Sequence, residues 1–492
     1  MGRTFIFAML LSMLLTFPAT AAQSAVAIIL KDQVSLRAAP RDSAPSHAIF
    51  WQGEMVEVRG ERLDYLQVYD YRRERAGFVR MDEARRLTLT PEAAPELHAV
   101  VRFLRSAPDS EALGIGFAAA YIQAAPAAIL NSSDGVEVLD ALGAMADRLA
   151  QRASTGSVRS QTAQTALSGH LETAMRHGVA FVNTERDGRV QICYDGDAFR
   201  HVLALASTPE QRARAALALT RLECTGNESS PLERKRGNEW RAEVLDRVNI
   251  DELAGFQKNR VLLRRAALWS GLAYQRARLG EAGDVAAKQA LSALSGIDKN
   301  QLTDADTPGY ADAAMRVNAS RWGAIARSAS TGKRLHIVTE AGAPGETCVL
   351  LLDKSNDSNH PLAKRCTYAI VWANSATVNR ENTALALAVQ PTQTWRELWL
   401  FRKLGDEWSV HVLPPATTMP DVGYVEFAGW IPGGTQMLVA REASGEGKYR
   451  KSFEQISLDS LTTVRKASEP SLLSAFRRWQ DAGWKAQTLS LR

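Results

Sequence analysis

Residues 34–58 read VSLRAAPRDSAPSHAIFWQGEMVEV, and the parsing of this stretch decides the fold of the N-terminal part. Val34 and Leu36 alternate with Ser35 and Arg37, so the two apolar side chains share one face of a short strand. Arg37 opens a loop that Pro40 stiffens. Gly53 then permits a tight turn into Met55-Val56-Glu57-Val58, a second half-buried alternation. From Val26 to Leu87 the chain continues in this way, in short alternating runs separated by turn residues, which predicts a compact all-β unit over 26–87.

The pieces of this unit stand in the order of a known family. VSLRAAP supplies a strand, an arginine and a proline; GEMVEVRGE from Gly53 supplies a central hairpin; YLQV from Tyr65 and AGFV from Ala76 supply the later strands. Together they resemble the bacterial Src-homology-3-like domain, a small barrel of exported and cell-wall-associated proteins. Tyr65 and Phe78 stand where the family usually carries tryptophan, and the connection from Asp70 to Arg75 is unusually charged. The resemblance implies binding of a wall peptide or a protein partner. By alternation Phe50 and Val68 point inward while Trp51 and Tyr69 point outward, leaving Trp51, Tyr69 and Tyr71 beside Arg72, Arg73 and Arg75. Exposed rings next to guanidinium groups make a groove for a peptide or a glycan, and Trp51, Tyr69, Tyr71, Arg72 and Arg73 are the candidate ligand-binding residues. The competing role for the same rings is to cover the edges of the unit's own sheet.

Ahead of this unit, Arg3 gives a positive start, the run from Phe5 to Phe17 is apolar, Pro18 breaks it, and Ala19-Thr20-Ala21-Ala22 supplies small residues. This is the pattern of a cleaved secretory signal over 1–22. The run is shorter than the roughly 18 to 20 residues that cross a bilayer, and no later stretch is long enough, so no transmembrane segment is expected after cleavage. The expected location is periplasmic or secreted.

The chain has 492 residues, of which 46% are hydrophobic and 23% charged, with a formal net charge of +5. Such a chain can bury several cores, and its length predicts about three domains. The positive excess suits anionic polymers, but it is spread along the chain, and an export signal argues against nucleic acid.

Four cysteines, Cys193, Cys224, Cys348 and Cys366, fall into two sequence-local pairs, as expected of a chain oxidised outside the cytosol. Metal sites usually set ligands about two to four residues apart within a pair, which these are not. Disulfides Cys193–Cys224 and Cys348–Cys366 are therefore predicted, and no metal site. Between Cys193 and Cys224 lies a helix over about Asp197 to Ala206. A capped start at Thr208-Pro209-Glu210-Gln211 then opens a second helix, and two antiparallel helices return the chain to its starting point.

LTPEAAPELH, from Leu87, is a hinge into an alanine- and leucine-rich region predicted as an α-helical domain over 93–327. Leu139, Leu142, Met145 and Leu149 recur at helical spacing behind Ser133 and Asp134. A hairpin with an Asp187-Gly188 turn interrupts the helices, and LWSGLAYQRARLGEAGDVAAKQAL from Leu268 reads as an isolated helical hairpin. After a link at Ser328-Ala329-Ser330 the period changes to two, predicting an antiparallel β domain over 333–492. Its four strand-like runs are followed by a second set of similar plan. Trp430-Ile431-Pro432-Gly433-Gly434 resembles the corner of periplasmic β-propeller blades, but the units are too few to close a ring. An open or sandwich-like arrangement of blade-like sheets is expected. The closing helix should place Leu473, Phe476 and Trp479 on one side. The fold class is thus multidomain α+β.

A search for chemistry returns little. The eight histidines show no paired ligand spacing. Ser330-Thr331-Gly332-Lys333 has the SxxK spacing of penicillin-binding enzymes without its companion elements, and lacks the glycine pattern of a phosphate loop. ASGEG around Ser444 lacks the setting of a nucleophile elbow. Tyr194-Asp195-Gly196-Asp197 offers too few oxygens for a calcium loop. No cofactor is implied. The reading is a cell-envelope binding or adaptor protein, not an enzyme, with a cell-wall fragment or a periplasmic protein as partner. The alternative is an envelope hydrolase of the amidase or peptidase type, with residues that meet only in the fold.

Overall fold

A computed structural model describes residues 25–154, 160–186, 189–225, 230–325, 335–355, 357–416, 422–445 and 448–485. The expected signal segment, the Asp187-Gly188 turn, the serine link and the SxxK string lie outside them. The chain divides into two compact units, Met1–Phe181 and Val182–Arg492. The helical stretch expected as one domain is thereby shared between them.

The first unit opens with seven strands: β1 (Val26–Ile29), β2 (Val34–Arg37), β3 (Ser46–Phe50), β4 (Met55–Arg62), β5 (Tyr65–Asp70), β6 (Arg75–Arg80) and β7 (Ala84–Leu87). They form one antiparallel sheet in the order β3-β2-β6-β5-β4-β1-β7. Val34, Leu36, Phe50, Val56, Leu66, Val68 and Val79 make its core, every one of them buried, so the inward positions read from alternation hold.

Among the described residues of this unit the α-helices α1 (Ala94–Leu104), α2 (Glu111–Ala124), α3 (Ala127–Leu130), α4 (Ser133–Ser154) and α5 (Gln161–Arg176) follow. The run Ala-Leu-Gly-Ile-Gly-Phe-Ala-Ala-Ala-Tyr makes α2 apolar on all sides, and it is accordingly buried on all sides. Its small residues let the sheet approach closely. Gly53, at φ +86°, takes a turn conformation that disfavours a side chain, and a Cβ there would also overlap the Ala112 carbonyl of α2. Two buried carboxylates on the helices are neutralised in place: Glu111 by Arg148 at 2.7 Å and Arg152 at 2.5 Å, and Asp140 by Arg105 at 2.6 Å.

The boundary between the units falls at the first residue of β8 (Phe181–Arg186), and in the second unit β8 pairs with β9 (Arg189–Tyr194), followed by α6 (Asp197–Ala204) and α7 (Pro209–Leu219). Thr208 and Gln211 close the expected capping box on α7 in both directions. The helix pair brings Cys193 and Cys224 together, Cα atoms 5.8 Å apart and sulfurs bonded. Next come α8 (Pro231–Asp246), α9 (Gly255–Arg278), α10 (Asp284–Ser295) and α11 (Thr307–Ser320). Two neighbouring arginines of α9 serve two helix ends. Arg264 donates to the carbonyls of Leu217 and Thr220 behind α7, and Arg265 to those of Leu245 and Val248 behind α8.

The remaining strands are β10 (His336–Ala341), β11 (Thr347–Leu352), β12 (Ala363–Thr367), β13 (Ile370–Val378), β14 (Ala384–Thr392), β15 (Trp395–Leu404), β16 (Glu407–Leu413), β17 (Val422–Ile431), β18 (Gln436–Gly445), β19 (Lys448–Ser457) and β20 (Thr463–Ala467). The first three form a small antiparallel sheet. Within it Cys348 and Cys366 face each other across β11 and β12 and are bonded. The other eight strands are the two expected sets of four, β13–β16 and β17–β20. A two-residue parallel pairing, Trp395 with Gly423 and Arg396 with Tyr424, joins them. The first set is buried on both faces. Leu385, Leu387, Trp399 and Phe401 pack with Val349 and Leu351 of the small sheet, while Ala384, Ala386, Leu398 and Leu400 pack with Val425, Met437 and Val439 of the second set.

The closing helix, α12 (Ser474–Trp479), is shorter than its sequence pattern promises. Leu473 and Phe476 are buried, but Trp479 is exposed. The chain leaves helical geometry at Gln480, and the Asp481 N–H donates to the Ala428 carbonyl at 2.7 Å. That turn delivers Trp484 in place of Trp479 to the cluster of Phe453 and Phe476.

Candidate functional site

In the first unit β4, β5, the end of α2 and the end of α5 border a cleft of about 490 Å³. From β5 and the turn after it come Tyr69, Tyr71 and Arg72. Tyr69 and Tyr71 meet edge to face with ring centres 5.0 Å apart, and the Arg59 guanidinium lies 3.8 Å from the centre of the Tyr69 ring. Tyr71 is 67% exposed. An edge-to-face pair whose outer ring is open to solvent offers a rigid apolar surface with a hydroxyl at its rim.

The opposite side is built from helices that the strand pattern says nothing about. Gln123 comes from α2, Arg176 from the last turn of α5, and His177 follows it. Arg176 and Arg72 both pair with Glu172, the former at 3.3 Å. Burial alone would raise the Glu172 pKa, but the hydrogen bonds and charges of Arg72 and Arg176 bring it below the ordinary carboxylate value.

At the base of the cleft lies Glu54, 2% exposed. Its carboxylate accepts from the Trp51 backbone N–H at 3.0 Å and from Arg73 at 3.1 Å, and it pairs with Arg176. Arg73 also holds Asp70 at 2.6 Å and donates to the Ile49 carbonyl. Desolvation by itself would lower the Arg73 pKa, yet hydrogen bonds to Asp70 and Glu54 raise it above the ordinary guanidinium value, so the group is a fixed cation.

Of the five candidate residues, Tyr69, Tyr71 and Arg72 converge on the cleft. Trp51 and Arg73 are engaged in internal contacts and keep only part of their surface open. Trp51 is half-buried against α5, where a Cβ on Gly169 would overlap its indole and His170 meets it edge to face at 6.3 Å. Arg73 is spent on Glu54 and Asp70. Alternation along a strand gives the side of the sheet but not whether a helix covers that side. Glu54, Gln123, Arg176 and His177 carried no local signal at all, being separated by up to 123 residues of sequence.

Elsewhere, Glu346, Cys348 and Cys366 bring possible metal-ligating atoms within 4.8 Å of one another, but the two sulfurs are bonded to each other and offer no thiolate. Ser409 Oγ lies 3.0 Å from His411 Nε2 on β16. Burial first, then Arg402 and Arg365, lowers the pKa of that imidazole, so the charged groups acting on it are cations and not an orienting carboxylate. Among the described residues no helix is long and apolar enough to cross a membrane. Comparison of the chain with protein-family models, with curated proteins and with solved structures finds no match.

Proposed function

We propose that the chain is a binding or adaptor protein of the cell envelope, in which residues 26–87 form a bacterial SH3-like module that recognises an extended peptide of a wall fragment or of a protein partner. One observation carries this reading: Tyr69, Tyr71 and Arg72 share a single cleft with Arg176 and His177. Rings of this kind bury area at small entropic cost, and Arg72, half-exposed although paired with Glu172, is the guanidinium beside them that an incoming carboxylate or carbonyl can reach. The two disulfides suit a periplasmic or secreted location. Strand order, the inward Val34 and Leu36, and the β4–β5 hairpin support the family resemblance.

Calorimetric titration of the purified protein with soluble wall peptides, and affinity capture from a periplasmic extract, test the reading. Capture should require the cleft, so Tyr71→Ala combined with Arg72→Ala should weaken it strongly. Equal capture by the double variant and the parent, at equal thermal stability, would place recognition elsewhere and leave the N-terminal sheet as a spacer.

A further inference from the structure

The cleft of the first unit also limits which part of a peptide it can hold. Its charged groups and their direct partners balance: Arg59, Arg72, Arg73 and Arg176 stand against Glu54, Glu57, Asp70 and Glu172. A ligand is therefore selected by which charges are open to it, not by their sum. The carboxylates of the lining are closed. Glu54 and Asp70 are 2% and 8% exposed and share Arg73, and Glu57 is 19% exposed and paired with Arg59 at 3.1 Å. Glu172 is not part of the lining and already serves two arginines.

The guanidinium of Arg72 is the open charge. It is 54% exposed, and its one side-chain partner among the described residues is Glu172. A guanidinium carries five N–H donors, so pairing with one carboxylate leaves donors for a second. Arg176, the other arginine of the lining, is mostly covered and divided between Glu54 and Glu172. An incoming ammonium thus finds no carboxylate free to receive it, while an incoming carboxylate finds Arg72, next in sequence to the exposed ring of Tyr71.

The place of Arg72 fixes where on the peptide that carboxylate stands. The Arg72–Glu172 pair runs from the turn after β5 to α5 and so joins the two walls. A chain laid across Tyr69 and Tyr71 toward Arg72 meets this bridge and must stop or break it. A chain that stops there presents its terminal carboxylate to Arg72. The cleft volume of about 490 Å³ falls within the roughly 300 to 1,000 Å³ of small-ligand sites, which suits a few residues and not the side of a folded partner. We propose, resting on the binding role given to this cleft above, that it takes the free carboxyl end of a short peptide. Arg72 holds the terminal carboxylate, and the Tyr69–Tyr71 pair holds the residues before it.

The test is calorimetric titration of the full chain with N-acetyl-Ala-Leu-Ala as the free acid and as its C-terminal amide, and with N-acetyl-Ala-Asp-Ala amide, in which the carboxylate is moved to a side chain. The free acid should bind saturably at millimolar concentration, and both amides about tenfold more weakly, for the loss of a hydrogen bond to a charged group. In Arg72→Gln the acid should fall to the level of its own amide, whereas Tyr71→Ala should weaken acid and amide alike. Equal binding of the acid and its amide by the parent overturns the proposal and leaves the cleft as a peptide site. So does an aspartyl amide that matches the acid, or an advantage of the acid that persists in Arg72→Gln. Binding of none of the three tripeptides overturns it too, and the wider reading then rests on whether capture of partners still requires Tyr71 and Arg72. The comparison of acid with amide in the parent needs no variant and decides the matter should Arg72→Gln fail to fold.

Discussion

Glu54 and Arg176 stand 122 residues apart in sequence and share an ion pair in which the carboxylate is almost wholly buried. Arg73 completes the arrangement from the sheet side, so one carboxylate ties the β4 turn to the end of α5. Removing the charge of such a group leaves two guanidinium ions short of a partner. The arginines keep a quarter of their surface in water, which softens the loss. Glu54→Gln should therefore lower stability by about 2 to 3 kcal/mol, below the full cost of breaking a dry pair. Chemical denaturation would check this, and a midpoint equal to that of the parent would show that the pair is incidental.

Binding and stability should separate cleanly across the N-terminal module. Tyr71→Ala and Arg72→Ala touch exposed groups and should each weaken peptide capture about tenfold, as an interface anchor does, with little change in melting temperature. Trp51→Ala should instead lower the melting temperature, because its indole fills the surface of α5 at Gly169. Thermal scans run beside the capture assay distinguish the two classes; loss of capture by Trp51→Ala with unchanged melting would restore it to the binding surface.

That separation also marks what the sequence could reveal. Alternation identified Phe50 and Val68 as inward, the Thr208 box announced α7, and the two cysteine pairs followed from their spacing, because each of these depends on neighbours within a few tens of residues. The cleft depends on which helix end meets which strand. Nothing near Gln123, Arg176 or His177 in the sequence encodes that meeting. Gly53 is the partial exception. Its turn was legible, but its second role, admitting the Ala112 carbonyl of α2, belongs to packing and was not.

The two disulfides should each contribute about 3 to 4 kcal/mol, the chain-entropy value for loops of this size, their sequence separations being 31 and 18 residues. Cys193→Ser with Cys224→Ser and Cys348→Ser with Cys366→Ser should both show reduced denaturation midpoints. Peptide mapping without reductant should recover only the two local pairs; crossed pairs or free thiols would contradict the arrangement.

His177 gives the first unit a defined pH response. Its Nε2 lies 2.8 Å from the Gly53 carbonyl oxygen, a bond that the neutral ring makes with its N–H on that nitrogen. Burial is the main cause holding its pKa below the ordinary value of 6.5, and Arg176 adds to it against the pull of the Gly53 carbonyl and Glu54. The unfolded chain takes up a proton near 6.5 and the folded chain only at lower pH. Stability is thus complete above that value and declines as pH falls from it toward the depressed pKa. Denaturation midpoints should drop as pH falls from about 6.5 toward the depressed pKa, and His177→Gln should flatten that part of the profile. Identical slopes in parent and variant would rule His177 out as the source.

The last helix offers a test of packing against pattern. Periodicity alone gives Leu473, Phe476 and Trp479 equal standing, and truncating any of them would then be costly. In the fold Phe476 is fully buried between Phe453 and Trp484, whereas Trp479 is 43% exposed. The distinction arises because α12 ends at Trp479 and the Asp481 N–H is drawn to Ala428 of β17. Phe476→Ala should cost about 3 to 5 kcal/mol, the range for a large aromatic removed from a core. Trp479→Ala should stay within about 0.5 kcal/mol of the parent, as surface changes do. Comparable losses in the two variants, measured by urea denaturation, would mean that the helix runs on past Gln480 and that Trp479 turns inward with Phe476.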